Sequence, residues 1–96
     1  MTEGESGKPK RAMDLDGLRS ALDQAMVWPA VYTFKFIVPR TQLNHLLALF
    51  DGHRFSQRES SGGRYIGVTF EAMMTSSDDV IAIYQRASSV EGVMAF

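Results

Sequence analysis

The chain of 96 residues lacks cysteine, a long hydrophobic run and an excess of charge of either sign. Without cysteine there is no disulfide framework, no thiolate nucleophile and no cysteine-ligated zinc or iron–sulfur site. No segment approaches the ~18 consecutive apolar residues of a membrane span. The net charge of −1 argues against a broad basic surface for nucleic acid. What is present, 45% hydrophobic and 22% charged residues, is typical of one ordinary globular domain.

The first thirteen residues differ in composition from the rest. Residues 1–13 are polar, contain glycine and are interrupted by Pro9. They cannot bury enough apolar surface to offset the entropy of ordering, so we predict a disordered tail before a single domain over 14–96. No apolar run follows the charges of this tail, which argues against a secretory signal. We therefore expect a cytoplasmic protein.

Three segments carry apolar residues at helical spacing. The first spans 14–25 with Asp14 as its cap, and the second spans 40–51 and is followed by Gly52. The third begins after Ser76, a favourable capping residue. Its predicted buried stripe consists of Val80, Ile83, Tyr84 and Ala87.

Four other segments read as strands. Residues 31–38 and 64–73 alternate between apolar and polar side chains, whereas 53–60 resembles an edge strand and 93–96 is short. The pair Gly62-Gly63 predicts a hairpin turn between the second and third strands. In the third strand Met73 and Met74 are expected to fill the core. In the last strand, Met94 and Phe96 are expected to point outward and leave an apolar edge.

The predicted order is β-α-β-β-α-β behind an N-terminal helix, which is the ferredoxin-like arrangement of the α+β class. Right-handed crossovers give a four-stranded antiparallel sheet with both main helices on one face. Only the N-terminal helix is available to cover the other face. The sequence leaves open whether it does.

The hairpin between the second and third strands contains the strongest candidate site. Arg58, Ser60, Ser61, Gly63 and Arg64 bring guanidinium forks, hydroxyls and glycine amides together, and these groups can cradle a phosphate or carboxylate. The alternative is structural. Serine and glycine form the turn, and the arginines keep the edge soluble.

Lys35 and Tyr65 are predicted to share the outward face of the sheet on adjacent strands. Lys35 is a candidate for ligand binding, or alternatively for a cross-strand ion pair with Glu71. The chain has only two histidines, His45 and His53, so no metal site is expected.

Catalytic motifs are not evident either. No serine has an obvious histidine base, and no nucleophile elbow is present. The segment 38–42 after the first strand lacks the glycine that a phosphate-cradling acylphosphatase loop would use, which leaves Arg40 as a weak signal. We therefore expect a protein without enzymatic activity and without a cofactor.

Several of these residues together resemble a known family. Its members share an aromatic-proline start, here Trp28-Pro29, and a lysine within the first strand, here Lys35. They also share the hairpin Arg58-x-Ser60-Ser61-x-Gly63-x-Tyr65, a tyrosine in the last helix and a final Gly-Val strand. From Trp28 to Phe96, the chain resembles the YbeD-like family of small bacterial proteins of unknown function.

The resemblance implies a ferredoxin-like fold similar to that of ACT regulatory domains, and it implies no known activity. Two positions depart from the pattern. Many members have lysine where this chain has Gly62, and serine where it has Gly67. The turn here therefore lacks a cation that relatives carry.

Three functional hypotheses follow. The first is a non-enzymatic regulatory or interaction module that binds a small anionic metabolite or a metabolic enzyme, through the hairpin or the sheet face; fold analogy is its main support. The second is an RNA-binding domain of RRM-like topology, although the outward face of the third strand offers only Tyr65 for base stacking. The third is an oligomerisation or adaptor domain, for example a homodimer formed through the sheet face.

Overall fold

The computed structural model describes residues 15–60 and 62–95. The predicted tail, the capping residue Asp14, and Ser61 and Phe96 therefore lie outside the described residues. In chain order the elements are α1 (Leu15–Ala25), β1 (Ala30–Pro39), a 3-10 turn (Arg40–Gln42), α2 (Leu43–Leu49), β2 (Ser56–Glu59), β3 (Tyr65–Met74), α3 (Ser77–Ala87) and β4 (Met94–Ala95). Among the helices of these described segments, none is both long and apolar enough to cross a bilayer.

The four strands form one sheet in the order β2-β3-β1-β4, and every neighbouring pair is antiparallel. β1 and β3 occupy the centre and pair along their whole length, from Ala30 opposite Met74 to Pro39 opposite Tyr65. This order and the positions of α2 and α3 in the chain confirm the predicted ferredoxin-like fold. The pairing also fixes which side chains share a face of the sheet.

The core lies between the sheet and the helices. Alternate residues of β1 and β3 point into it, and Phe34, Phe36 and Val38 of β1 are at most 2% exposed. The rings of Phe34 and Phe70 lie 5.2 Å apart and stack across the two strands. Tyr84 of α3 reaches the same cluster. The inward face predicted from the alternation is therefore confirmed.

Two predicted elements differ from the structure by more than one residue at an end. The predicted strand 53–60 forms a strand only over Ser56–Glu59. Phe55, just before it, packs edge-on against Phe70. The predicted helix 40–51 begins as a 3-10 turn and is α-helical only over Leu43–Leu49. In α3, Val80, Tyr84 and Ala87 are buried as predicted, Ile83 is half-buried, and Ile81 is an additional buried residue.

The N-terminal helix α1 packs beside α3, on the helical side of the sheet. Leu22 is 7% exposed and joins the core, and Arg19 Nε lies 2.9 Å from Asp78 Oδ1 at the start of α3. The leucine stripe of α1, Leu18 and Leu22, thus packs against the core on the helical side. Within the described residues, α1 therefore leaves the other sheet face uncovered, and we call that face the open face.

The open face carries most of the large exposed apolar side chains. Four of the five in the described residues lie on it: Val31 (54% exposed), Met73 (60%), Met94 (51%) and Tyr65 (42%). The prediction that Met73 fills the core is wrong, because its neighbour Met74 takes the inward position and the pleat turns Met73 outward. Met94 is exposed as predicted.

Candidate functional site

The hairpin tip between β2 and β3 is closed by its own polar groups. Ser60 N donates to Tyr65 O at 2.9 Å, and Gly63 N donates to Ser60 O at 2.9 Å. The Ser60 hydroxyl donates to Tyr65 O at 3.0 Å and accepts from Tyr65 N at 3.2 Å. Ser60 and the Gly63 amide, which were candidate anion ligands, are therefore already engaged in holding the turn.

Arg40, at the end of β1, binds this hairpin from the side. Its Nε donates to Gly63 O at 2.7 Å, its Nη2 forms an ion pair with Glu59 Oε2, and its backbone N donates to Arg64 O at 2.9 Å. Sequence analysis assigns Arg40 only a weak signal, because its partners lie 19 to 24 positions away along the chain. Only the β1–β3 register, which places Arg40 opposite Arg64, brings them together.

Two glycines allow the chain to approach the end of β1 closely. Gly63 has φ +73°, and a Cβ atom there would lie 3.2 Å from Arg40 Nη2. Gly92 has φ +79°, and a Cβ atom there would lie 2.7 Å from Pro39 Cγ. Residues other than glycine rarely adopt either backbone conformation. The two glycines therefore allow the hairpin and the turn before β4 to pack against the end of β1.

An open cleft of about 420 Å³ lies between the end of β1 and the hairpin tip. Its lining consists of Pro39, Arg40, Thr41, Gly62, Gly63, Arg64 and Tyr65. Arg40 is balanced by Glu59, whereas the exposed Arg64 guanidinium has no hydrogen-bond or ion-pair partner among the described residues. The cleft thus carries one uncompensated positive charge, and we call it the hairpin cleft.

The other predicted site residues lie elsewhere. Lys35 is opposite Thr69, four positions along β3 from Tyr65, which corresponds to ~13 Å. Arg58 is opposite Gly67 and shares the open face with Lys35. Of the seven candidates, the structure brings Gly63, Arg64 and Tyr65 into the hairpin cleft, and Ser61 is outside the described residues.

The predicted alternative role of Lys35, an ion pair with Glu71, does not form. Glu71 lies directly opposite Thr33, whose hydroxyl donates to its carboxylate at 3.4 Å. Lys35 is diagonal to Glu71 and has no ion-pair partner among residues 15–60 and 62–95. The lysine therefore remains an exposed cation of the open face.

The described residues offer little for metal binding or for the stacking of nucleic-acid bases. In the described ranges, no three histidine or carboxylate side chains converge on a point where they could hold a metal ion. The described part of the open face presents one aromatic ring, Tyr65, at its edge. His45 is exposed on α2, and the ring of His53 lies 5.0 Å from that of Phe70.

Comparison with known proteins places these features in a family. A family model described as "Protein of unknown function (DUF493)" matches residues 23–96, which include the whole sheet, the hairpin cleft and the last residues of α1. No curated protein and no solved structure matches the chain. The matched region contains every residue on which the resemblance to the YbeD-like family was based. The chain therefore belongs to DUF493, the YbeD-like family of proteins of unknown function.

Proposed function

We propose that this protein is a non-enzymatic regulatory module that binds a small anionic ligand in the hairpin cleft. The observation that carries the proposal is the Arg64 guanidinium, which is exposed at the cleft and lacks a partner among the described residues. A guanidinium presents a planar fork of N–H donors that matches a carboxylate or phosphate. The chemistry of the site therefore favours ligands that carry one of these groups.

The walls of the cleft favour a small and partly planar ligand. A volume of about 420 Å³ lies in the lower part of the range of small-molecule sites. Tyr65, with 42% of its surface exposed, offers a ring face beside Arg64. An anion with an attached ring or short apolar part can bind Arg64 and pack on Tyr65 at the same time.

Arg40 contributes by fixing the shape of the cleft. Its bonds to Gly63 and Glu59 tie the hairpin to the end of β1 before any ligand arrives. A preorganised site loses less conformational entropy on binding. We therefore assign Arg40 a positioning role and Arg64 the direct contact with the anion.

A binding function fits this lining better than catalysis does. The seven lining residues include neither a histidine nor a carboxylate that could act as a general base. Glu59, the nearest carboxylate described above, is engaged with Arg40. The lining supports recognition of a ligand and offers no group for proton transfer near neutral pH.

An amide-resolved NMR titration of the labelled protein tests the proposal. The probes are pooled amino acids, nucleotides and short carboxylic acids. We expect chemical shift changes at Arg40, Gly63, Arg64 and Tyr65, and a loss of these changes in Arg64→Ala. Arg54→Ala is the matched control, because Arg54 is exposed and outside the cleft, and it is expected to bind as the wild type does.

Three outcomes would contradict this assignment. The first is the absence of shifts from every pool at millimolar concentration. The second is binding that Arg64→Ala and Arg54→Ala weaken equally, which would indicate general charge attraction to the surface rather than the cleft. The third is a set of shifts confined to Lys35 and Arg58, which would place the ligand on the open face.

A further inference from the structure

The open face carries apolar and charged groups that, apart from Tyr65, lie outside the hairpin cleft. At one end, Val31 and Met73 are direct cross-strand partners and are 54% and 60% exposed. At the other end, Met94 is opposite the half-buried Ile37. Exposed apolar side chains that cluster on one face of a small protein mark an interaction surface.

The middle of the open face carries charges of both signs. Lys35 and Arg58 supply positive charge, and Glu71 supplies negative charge. Lys35 and Glu71 do not pair with each other, and Glu71 contacts only the neutral hydroxyl of Thr33 among the described residues. The face thus presents an unpaired cation and a carboxylate of opposite sign a short distance apart.

We propose that the open face binds the open face of a second copy of this chain, forming a homodimer of stacked sheets. A twofold axis parallel to the strands would place β1 of one copy over β3 of the other. Val31 would then face the second copy's Met73, because these two residues are already register partners within one sheet. Lys35 would lie diagonally from the second copy's Glu71, so the charges would become complementary. The face is therefore self-complementary at the Val31–Met73 contact and between Lys35 and Glu71, while Arg58 would lie over the second copy's Met94.

The dimensions of the face are sufficient for such an interface. β1 and β3 each contain ten residues, which corresponds to ~33 Å, and four strands at ~4.8 Å spacing span ~19 Å where all are present. The face therefore offers several hundred Å², the order of magnitude that each partner buries in a standard interface, ~800 Å². Stacked sheets place their side chains in contact at a spacing of ~10 Å.

Sedimentation velocity of the full chain, from micromolar to near-millimolar concentration, tests the dimer. We expect a concentration-dependent dimer in the wild type and its loss at all concentrations in Met73→Lys. Val27→Lys is the matched control. Val27 is 88% exposed in the segment before β1 and is not in the sheet, so the same substitution should leave the dimer intact. Circular dichroism checks that both variants are folded.

Three results would overturn the proposal. They are a wild type that stays monomeric near millimolar concentration, a dimer that survives both Met73→Lys and Met94→Lys, and a dimer that Val27→Lys disrupts as strongly as Met73→Lys. The two proposals share Tyr65, but Arg64, which carries the ligand proposal, lies outside the sheet. Arg64→Ala is expected to leave the sedimentation profile unchanged, so failure of one proposal is distinguishable from failure of the other.

Discussion

At the scale of single residues, the shape of the hairpin cleft depends on a guanidinium that donates in two directions. Arg40 reaches the Gly63 carbonyl with Nε and the Glu59 carboxylate with Nη2. A Cβ atom at Gly63 would lie 3.2 Å from Nη2, so a side chain there would require the guanidinium to shift. The glycine and the arginine are therefore parts of one local arrangement.

The two glycines of the turn provide a matched pair of substitutions. Gly62 and Gly63 both have positive φ, but a Cβ at Gly62 meets nothing within 4 Å. Gly62→Ala should therefore cost only the left-handed backbone conformation, about 1 kcal/mol. Gly63→Ala should cost more, because Arg40 must also move. Urea denaturation of both variants measures the difference, and equal losses would mean that the Arg40 contact contributes nothing to stability.

Tyr84 provides a second prediction at this scale. Burial, and secondarily the hydrogen bond with Tyr32 at 3.2 Å, raise the pKa of Tyr84 well above its ordinary value of 10.0. The unfolded chain then releases this proton at lower pH than the folded chain. The contribution of the protonated Tyr84 to the free energy of unfolding is therefore fully present below about pH 10. It is lost as the pH rises above that value.

Alkaline denaturation of the wild type, Tyr84→Phe and Tyr32→Phe tests this dependence. We expect Tyr84→Phe to flatten the loss of stability above pH 10. Tyr32→Phe should retain most of it, since burial is the larger cause of the shift. A Tyr84→Phe variant with the slope of the wild type would show that another group titrates.

At the scale of elements, α3 begins with a compact set of capping bonds. Ser76 Oγ accepts from Asp79 N at 3.2 Å, and Asp79 Oδ2 accepts from Thr75 N at 2.8 Å and from the Thr75 hydroxyl. Ser76 thus satisfies a backbone donor that the first turn of the helix leaves unpaired, and Asp79 ties the residue before the cap to the helix. The bonds from Thr75, that from its hydroxyl first, lower the pKa of Asp79 below its ordinary value of 3.8.

The contributions of Ser76 and Asp79 to the free energy of unfolding can be measured separately. Ser76→Ala should lower the free energy of unfolding by about 1 kcal/mol at neutral pH. Because the pKa of Asp79 is lowered in the folded state, its contribution is present above about pH 4 and is lost as the pH falls further. Asp79→Asn should therefore be less stable than the wild type at pH 7, and the difference should shrink as the pH falls below about 4. A constant difference across that interval would contradict the assignment.

At the scale of the whole molecule, the position of α1 decides which surface is available for partners. α1 joins the helical layer through Leu22, and Arg19 adds an ion pair with Asp78 whose side chains are 42% and 74% exposed. Apolar burial should dominate this docking, because exposed ion pairs contribute at most ~1 kcal/mol. The sheet face opposite then remains uncovered among the described residues.

Substitutions in α1 test whether apolar burial or the ion pair contributes more to its docking. We expect Leu22→Ala to lower the free energy of unfolding by about 2–4 kcal/mol, through lost burial and the cavity that remains. Arg19→Ala should change it by less than ~1 kcal/mol. Thermal and urea denaturation of both variants provide the comparison. Similar losses in the two variants would indicate that charge, rather than the leucine stripe, holds α1 in place.

The sequence predicted the fold further than it predicted the site. Alternation in β1 and β3 and the helical stripes identified the inward faces correctly, because local periodicity directly reflects which side of an element is buried. It misassigned Met73, since two successive methionines at a strand end do not indicate which one points inward. It also gave Arg40 little weight, because the role of Arg40 depends on residues in another strand.

The sequence by itself determined the order of elements, the ferredoxin-like fold, the hairpin and membership of the family, since each follows from local patterning or from motifs in contiguous segments. Only the tertiary structure decided that α1 packs beside α3, that Ser60 closes the turn, and that Arg40 and Arg64 meet at one cleft. These features arise from strand register and helix packing. Such contacts join residues far apart in the chain, and the pattern within any one segment does not specify them.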